Sequence, residues 1–137
     1  MPFGPNALGV AYFTGVKLVG YSLAGLAFNR GLAVTRPHPL TFGVTRAAVG
    51  VAVGASYGYV LYHLPHPISN SELTFYAGLI PIRILEWLFV LWLFYRTAPT
   101  LRPKVVPYVA GGVGWSFALD LPAIFAAFSL PGGFWVC

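Results

Sequence analysis

Four long apolar runs, separated by short connections, dominate the chain. They lie at residues 7–28, 44–64, 72–95 and 105–128, and each is about as long as the ~20 residues that an α-helix needs to cross a bilayer. The connections "NRGLAVTRPHPLTFG", "PHPISN" and "RTAPTLRPKVVP" contain the glycine and proline that interrupt helices. The pattern predicts an all-α integral membrane protein, a four-helix transmembrane bundle that forms a single domain over residues 1–137.

The composition favours the same environment. The chain is 58% hydrophobic and 8% charged, with a mean hydropathy of +0.75, whereas about a quarter of the residues in a soluble domain are charged. Eleven charged side chains, eight basic and three acidic, are too few to solvate a domain of this size. We therefore expect the lipid bilayer to be the main partner. The sequence has no basic run and no aromatic RNA-binding motif, which argues against nucleic acid.

Basic residues near the predicted helix ends indicate the orientation. They fall in or beside the first and third connections, whereas the second connection and both termini contain none. These residues are Arg30, Arg36, Arg46, Arg96, Arg102 and Lys104. Because cytoplasmic loops carry the excess of lysine and arginine, the first and third connections are predicted to be cytoplasmic and both termini to lie on the non-cytoplasmic side. The short chain without targeting signals suggests a bacterial inner (plasma) membrane.

Apart from residues close to the ends of the predicted spans, four charged residues fall inside them: Lys17, Arg83, Glu86 and Asp120. Their estimated depths are ~8–21 Å below the outer boundary of the hydrocarbon core. Each would cost about 2.5–3.5 kcal/mol at a helix centre, so opposite charges are expected to meet. Arg83 and Glu86 can pair along one helix at i,i+3, and Lys17 can pair with Asp120 if the first and fourth helices are neighbours. A quartet linking all four is equally allowed.

Three residues are candidate neighbours of this charge cluster. Trp87 follows Glu86 and is predicted either to fill the core or to stack on a guanidinium group and line a pocket. Pro122 frees the backbone carbonyl of Ala118 close to Asp120, and Pro81 frees that of Ala77 before Arg83. Exposed carbonyls beside charges are typical of transporter sites, although prolines are common in transmembrane helices.

The second helix carries a stripe of glycines at Gly50, Gly54 and Gly58. This GxxxGxxxG spacing predicts a smooth face for close contact with another helix, either within the chain or in another copy. We therefore expect copies of the protein, or other membrane subunits, as partners.

The remaining residue patterns give little evidence for catalysis or cofactors. The sequence has no HExxH, GxSxG, P-loop or GxGxxG motif, and it predicts no cofactor. His63 and His66 are weak candidates for a metal site, because prolines at 65 and 67 leave their geometry open and no third ligand is near. A role other than catalysis is favoured.

Three functions are compatible with these observations. The first, which we favour, is an oligomeric transporter or channel, with Glu86 and Asp120 as exchangeable acids and with Lys17 and Arg83 tuning them or holding an anion. The second is an accessory or scaffold subunit of a larger membrane complex, in which the charge pairs fix the architecture. The third is a lipid-modifying membrane enzyme that uses one of the two acids as general acid or base.

Overall fold

The described part of the chain folds as four α-helices. The structure, a computed structural model, describes residues 7–63 and 72–129. The helices are α1 (Ala7–Leu32), α2 (Pro39–Tyr62), α3 (Glu72–Tyr95) and α4 (Val105–Ser129), with a 3-10 helix (Arg102–Lys104) before α4. The described residues include no strand, so the predicted all-α architecture with four helices is confirmed.

The first connection is shorter than predicted, partly because α1 continues through "NRGL" to Leu32. Its end is closed by two backbone hydrogen bonds, from Val34 N to Asn29 O at 2.9 Å and from Ala33 N to Arg30 O at 3.2 Å. Ala33 has a left-handed backbone with φ of 54°. This hydrogen-bond pattern is a common C-terminal cap of helices, usually with glycine at the left-handed position.

The second helix begins at Pro39, five residues before its predicted start at residue 44. Proline is tolerated at the first helical position, where its missing N–H would have no intrahelical partner. His38 caps the helix, because its carbonyl accepts a hydrogen bond from Phe42 N at 3.1 Å and its Nδ1 accepts one from Leu40 N at 3.3 Å. The sequence analysis therefore placed Pro39 in the first connection, although it is the first residue of α2.

The helices form a ring in which each one packs against two others. α1 packs on α2 and α4, and α3 completes the ring by packing on the same two helices. The chain runs up and down: Gly25, near the end of α1, lies against Phe42 near the start of α2, and Gly78 near the start of α3 lies against Tyr57 near the end of α2. The first and third connections therefore meet at one end of the bundle.

The bundle has an apolar surface and a partly polar interior. Large apolar side chains such as Val106, Phe125 and Leu85 are 66–78% exposed, whereas five charged residues are buried. The apolar part of the interior surrounds Trp87 and Phe42, both fully buried. Charged side chains in soluble proteins are almost never fully buried unless they are paired.

Two of the described helices are long and apolar enough, by length and composition, to cross a membrane. The stretches are Ala11–Leu32 in α1 and Ala77–Tyr95 in α3. The sequence predicted four such spans, and over the described residues α2 and α4 do not reach the same threshold.

Candidate functional site

Three of the predicted charged residues form a chain of contacts across the bundle. Asp120 on α4 accepts a hydrogen bond from Lys17 of α1 through Oδ1, and a second one from Arg83 Nη2 of α3 through Oδ2 at 2.5 Å. All three residues are at most 4% exposed. One carboxylate thus holds two cations from two different helices, as the neighbouring positions of α1, α3 and α4 in the ring allow.

Glu86 pairs with a residue that was not predicted to belong to the site. Its Oε2 accepts a hydrogen bond from Arg46 Nη2 of α2 at 2.6 Å. The Arg46 guanidinium carbon lies 4.8 Å from the ring centroid of Tyr21 and 5.0 Å from that of Trp87, and the residue is 1% exposed. The guanidinium therefore lies near two aromatic rings, both within the range of cation–π attraction.

The sequence analysis counted Arg46 among the basic residues beside the first connection, whereas the structure buries it inside the bundle. With α2 beginning at Pro39, Arg46 stands seven residues inside the helix, about 10 Å along its axis. The signal that could have placed it there is the proline at the first helical position, directly after a residue able to cap.

The structure pairs Arg83 and Glu86 with other helices. Residues at i and i+3 are separated by about 60° around a helix axis, so Arg83 can face α4 while Glu86 faces α2. Arg83 contacts Asp120 and Glu86 contacts Arg46. The intrahelical pairing that the sequence allowed is replaced by two contacts between helices.

Neutral polar groups lie between the contacts of Asp120 with its two cations and the pair formed by Arg46 and Glu86. Ser116 Oγ accepts a hydrogen bond from Trp87 Nε1 at 3.0 Å and lies 3.4 Å from the Tyr21 hydroxyl, which in turn lies 3.5 Å from Lys17 Nζ. The sequence analysis did not identify Ser116 or Tyr21. A signal for Ser116 was its position four residues before Asp120, which puts both residues on one face of α4.

Two small cavities lie beside the cluster. One, of about 20 Å³, is lined by side chains of α2 and α3 together with Tyr21. Its lining residues are Tyr21, Arg46, Gly50, Gly54, Leu79, Ile82, Arg83 and Glu86. The other, of about 40 Å³, lies between α1 and α2 and includes Lys17, Tyr21 and Gly50 in its lining. All three cations of the cluster therefore border a cavity, whereas Asp120 lines neither of the two.

Three nitrogen atoms of the cluster have no hydrogen-bond partner among the described residues. They are Nε and Nη1 of Arg46 and Nε of Arg83. Both side chains line the cavity of about 20 Å³. Because a buried N–H without a partner costs free energy, these atoms indicate that the site can take a further hydrogen-bond acceptor.

The remaining predicted neighbours occupy different positions. Trp87 is fully buried in the core and lies near the Arg46 guanidinium, but it lines neither of the two cavities. α3 and α4 continue through Pro81 and Pro122. Neither proline lines the two cavities beside the cluster.

The glycine stripe of α2 lies partly along the cluster. Gly50 and Gly54 line the cavity beside Arg46, whereas a Cβ atom at Gly58 would meet nothing within 4 Å. The contact of this stripe with another copy stays a prediction.

The two histidines give no metal centre in the described part of the chain. His63 is exposed and its Nδ1 lies 2.9 Å from the carbonyl oxygen of Tyr59, while His66 lies outside the described residues. No group of three potential metal ligands occurs among the residues that the structure describes.

Comparisons with known proteins do not assign this arrangement to a family. No protein-family model, curated protein or solved structure matches the chain. The evidence for function is therefore the buried cluster and its surroundings: three cations, two carboxylates and two cavities.

Proposed function

We propose that the protein spans a membrane with four helices and transports an ion through its buried charge cluster. The apolar surface and the buried charges support membrane insertion, because lipid replaces water around the bundle and leaves the interior as the place where charges can pair. α1 and α3 have the length and composition of membrane spans. The glycine-rich α2 and α4 would cross alongside them as partners in the same ring.

The distribution of basic residues supports an orientation with both termini on the non-cytoplasmic side. Five of the six residues counted from the sequence are exposed at the end where the first and third connections meet: Arg30, Arg36, Arg96, Arg102 and Lys104. Two hydrogen bonds join this end, from Lys104 Nζ to Gly31 O at 3.2 Å and from Thr100 Oγ1 to Leu32 O at 3.1 Å. Without Arg46, the basic residues that support this orientation still lie at the end formed by the first and third connections. The kind of cell membrane stays a prediction from the sequence.

The observation that carries the transport proposal is the position of Glu86. It has one cationic partner, Arg46, and it lines both the small cavity and an open apolar groove between α2 and α3. A carboxylate with a single partner at a cavity wall can release that partner when it is protonated or when an ion arrives. Intramembrane carboxylates in transporters commonly relay protons in this way.

A second function, a scaffold subunit in which the charges serve architecture, is favoured by one specific feature. Asp120 uses both oxygens on two cations from different helices and lines neither of the two cavities. Such a contact fixes the relative positions of α1, α3 and α4 without any chemistry. Purification from native membranes separates the two functions, because a scaffold subunit would be isolated with partners in fixed stoichiometry, whereas a transporter would be isolated alone or as copies of itself.

The same cluster gives a direct test of transport. We expect Glu86→Gln to fold but to lower proton uptake into liposomes at least tenfold, because an amide can neither exchange a proton nor hold Arg46 as an ion pair. Uptake is measured with a pH-sensitive dye under a potassium potential set by valinomycin. Glu72→Gln is the matched control: the same substitution at the first residue of α3, about 21 Å along the helix from Glu86. It should leave uptake unchanged.

Asp120→Asn is expected to act differently. It leaves Lys17 and Arg83 without their shared counter-charge, and breaking a buried ion pair typically costs about 3–5 kcal/mol. We therefore expect a large loss of stability in detergent. Unchanged uptake in both Glu86→Gln and Asp120→Asn would refute the transport proposal.

A further inference from the structure

The buried cluster holds one more positive than negative charge. Among the described residues, Lys17, Arg46 and Arg83 are its cations, and Glu86 and Asp120 are its carboxylates. The third acidic residue of the sequence is Glu72 at the start of α3, which is too far along the helix to reach Glu86. Arginine does not lose its proton in proteins, so the two guanidinium groups keep their charge. An uncompensated charge away from water is unfavourable unless a counter-ion joins it.

The hydrogen-bond donors of the cluster show the same excess. Nε and Nη1 of Arg46 and Nε of Arg83 have no partner among the described residues, and these two side chains are 1% and 3% exposed. The donors without acceptors belong to the residues that carry the excess charge. A particle that accepts hydrogen bonds and carries one negative charge would partner these donors and neutralise the excess charge.

The cavity between these arginines has room for one small particle. Its volume of about 20 Å³ exceeds the ~10–15 Å³ that a single water molecule requires. Apart from Arg46, Arg83, Glu86 and Tyr21 its walls are small or apolar, so they offer an ion little hydration. The neighbouring cavity of about 40 Å³ shares Tyr21 and Gly50 with it and adds Lys17 as a third cation.

We propose that Arg46 and Arg83 bind one monatomic, monovalent anion of halide size in this cavity, and that this anion is transported in addition to the proton exchanged at Glu86. The inference rests on the proposed function for transport, whereas binding can be measured separately. A water molecule in the cavity would satisfy the N–H groups but would leave the charge in excess. A polyatomic anion such as phosphate is larger than this volume of about 20 Å³.

Chloride binding to the purified protein tests the site. Sodium chloride is titrated against sodium gluconate at constant ionic strength, and the thermal unfolding temperature is followed by tryptophan fluorescence. Chloride should raise this temperature in a saturable manner, because it binds the folded state, whereas gluconate, which is too large for the cavity, should not. Arg46→Gln should abolish the chloride effect. Arg96→Gln, which removes an exposed arginine from the surface, should keep it.

A milder pair of variants covers the case in which Arg46→Gln does not fold. A Cβ atom at Gly50 would lie 3.1 Å from Arg46 Nη1, so Gly50→Ala should crowd the anion and weaken chloride binding about tenfold. Gly111→Ala is the matched control, since a Cβ atom there meets nothing within 4 Å. Uptake of radioactive chloride into liposomes should fall in Gly50→Ala and remain unchanged in Gly111→Ala.

The outcomes distinguish the inference from the proposed function. Equal stabilisation by chloride and gluconate, or equal losses in Arg46→Gln and Arg96→Gln, would overturn the anion site. Proton uptake that depends on Glu86 without any chloride binding would overturn the anion site and uphold transport. Saturable chloride binding that Gly50→Ala weakens, without chloride uptake, would uphold the binding site and overturn transport of the anion.

Discussion

Arg46 illustrates how one side chain can be charged, buried and stable. Its guanidinium group contacts Glu86 on one side and lies against the rings of Tyr21 and Trp87. Arginine suits this position because its planar, weakly hydrated group stacks on aromatic rings while it donates to a carboxylate. A lysine at the same place would keep the charge but lose the stacking and the fixed fork of donors.

Ser116 is the residue whose loss should reveal the polar network. Ser116→Ala removes the acceptor of the Trp87 indole N–H, and a buried donor without a partner costs about 1–3 kcal/mol. We expect the free energy of unfolding, measured in mixed detergent micelles, to fall by that amount.

The control for Ser116 is Ser56→Ala on α2. Ser56 is exposed and donates only to Ala52 O in its own helix, at 2.9 Å, so its removal should change stability by no more than about 0.5 kcal/mol. Equal losses in the two variants would show that the Trp87 contact contributes nothing.

At the scale of the elements, α1 and α2 come into close backbone contact at Gly43, which lies outside the predicted glycine stripe. A Cβ atom at Gly43 would lie 2.9 Å from Ser22 N and 3.0 Å from Leu18 O, which are backbone atoms that cannot rotate away. The residue lies in α2 only because the helix begins at Pro39, so the sequence-based assignment of residue 43 to a loop concealed its role.

The close contact of Gly43 with α1 predicts the effect of adding a methyl group at this position. Gly43→Ala must push α1 and α2 apart, and overpacking of this kind typically costs about 1–3 kcal/mol. The loss should appear as a lower unfolding temperature in detergent.

Gly15→Ala on α1 provides the comparison for Gly43→Ala, because a Cβ atom there meets nothing within 4 Å. It should leave stability unchanged or raise it slightly, since alanine favours helix more than glycine does. If Gly43→Ala were as stable as Gly15→Ala, the two helices would not be in close contact at this position.

At the scale of the whole molecule, the orientation can be tested with the single cysteine of the chain. Cys137 is the last residue, and the predicted orientation places it on the non-cytoplasmic side. A membrane-impermeant maleimide should label it in intact cells. In a Cys137→Ser background, Thr97→Cys in the exposed third connection should react only after the cells are permeabilised, because that connection is predicted to be cytoplasmic.

Cys137→Ser alone contains no thiol and measures the background of the labelling. The reverse pattern, with Thr97→Cys labelled in intact cells and Cys137 protected, would show that the bundle has the opposite orientation in the membrane. It would leave the contacts inside the bundle unchanged, since the orientation depends on the exposed basic residues and not on the cluster.

The sequence alone determined the helical segments and the presence of charges among them. Apolar runs of sufficient length, broken by proline and glycine, are local properties, so α3 was predicted with its observed bounds and α4 to within one residue. Local patterns were less reliable at the first connection, where Pro39 begins α2 instead of interrupting it. The misplaced helix start moved Arg46 out of the candidate site.

Only the tertiary structure decided which charges meet. The sequence allowed Arg83 to pair with Glu86, but the direction of a side chain around its helix and the order of helices in the ring place Arg83 on Asp120 and Glu86 on Arg46. These quantities depend on how all four helices pack, and no spacing along one helix contains them. The excess positive charge, the unpartnered N–H groups and the cavity that they border emerge only once Arg46 joins the cluster.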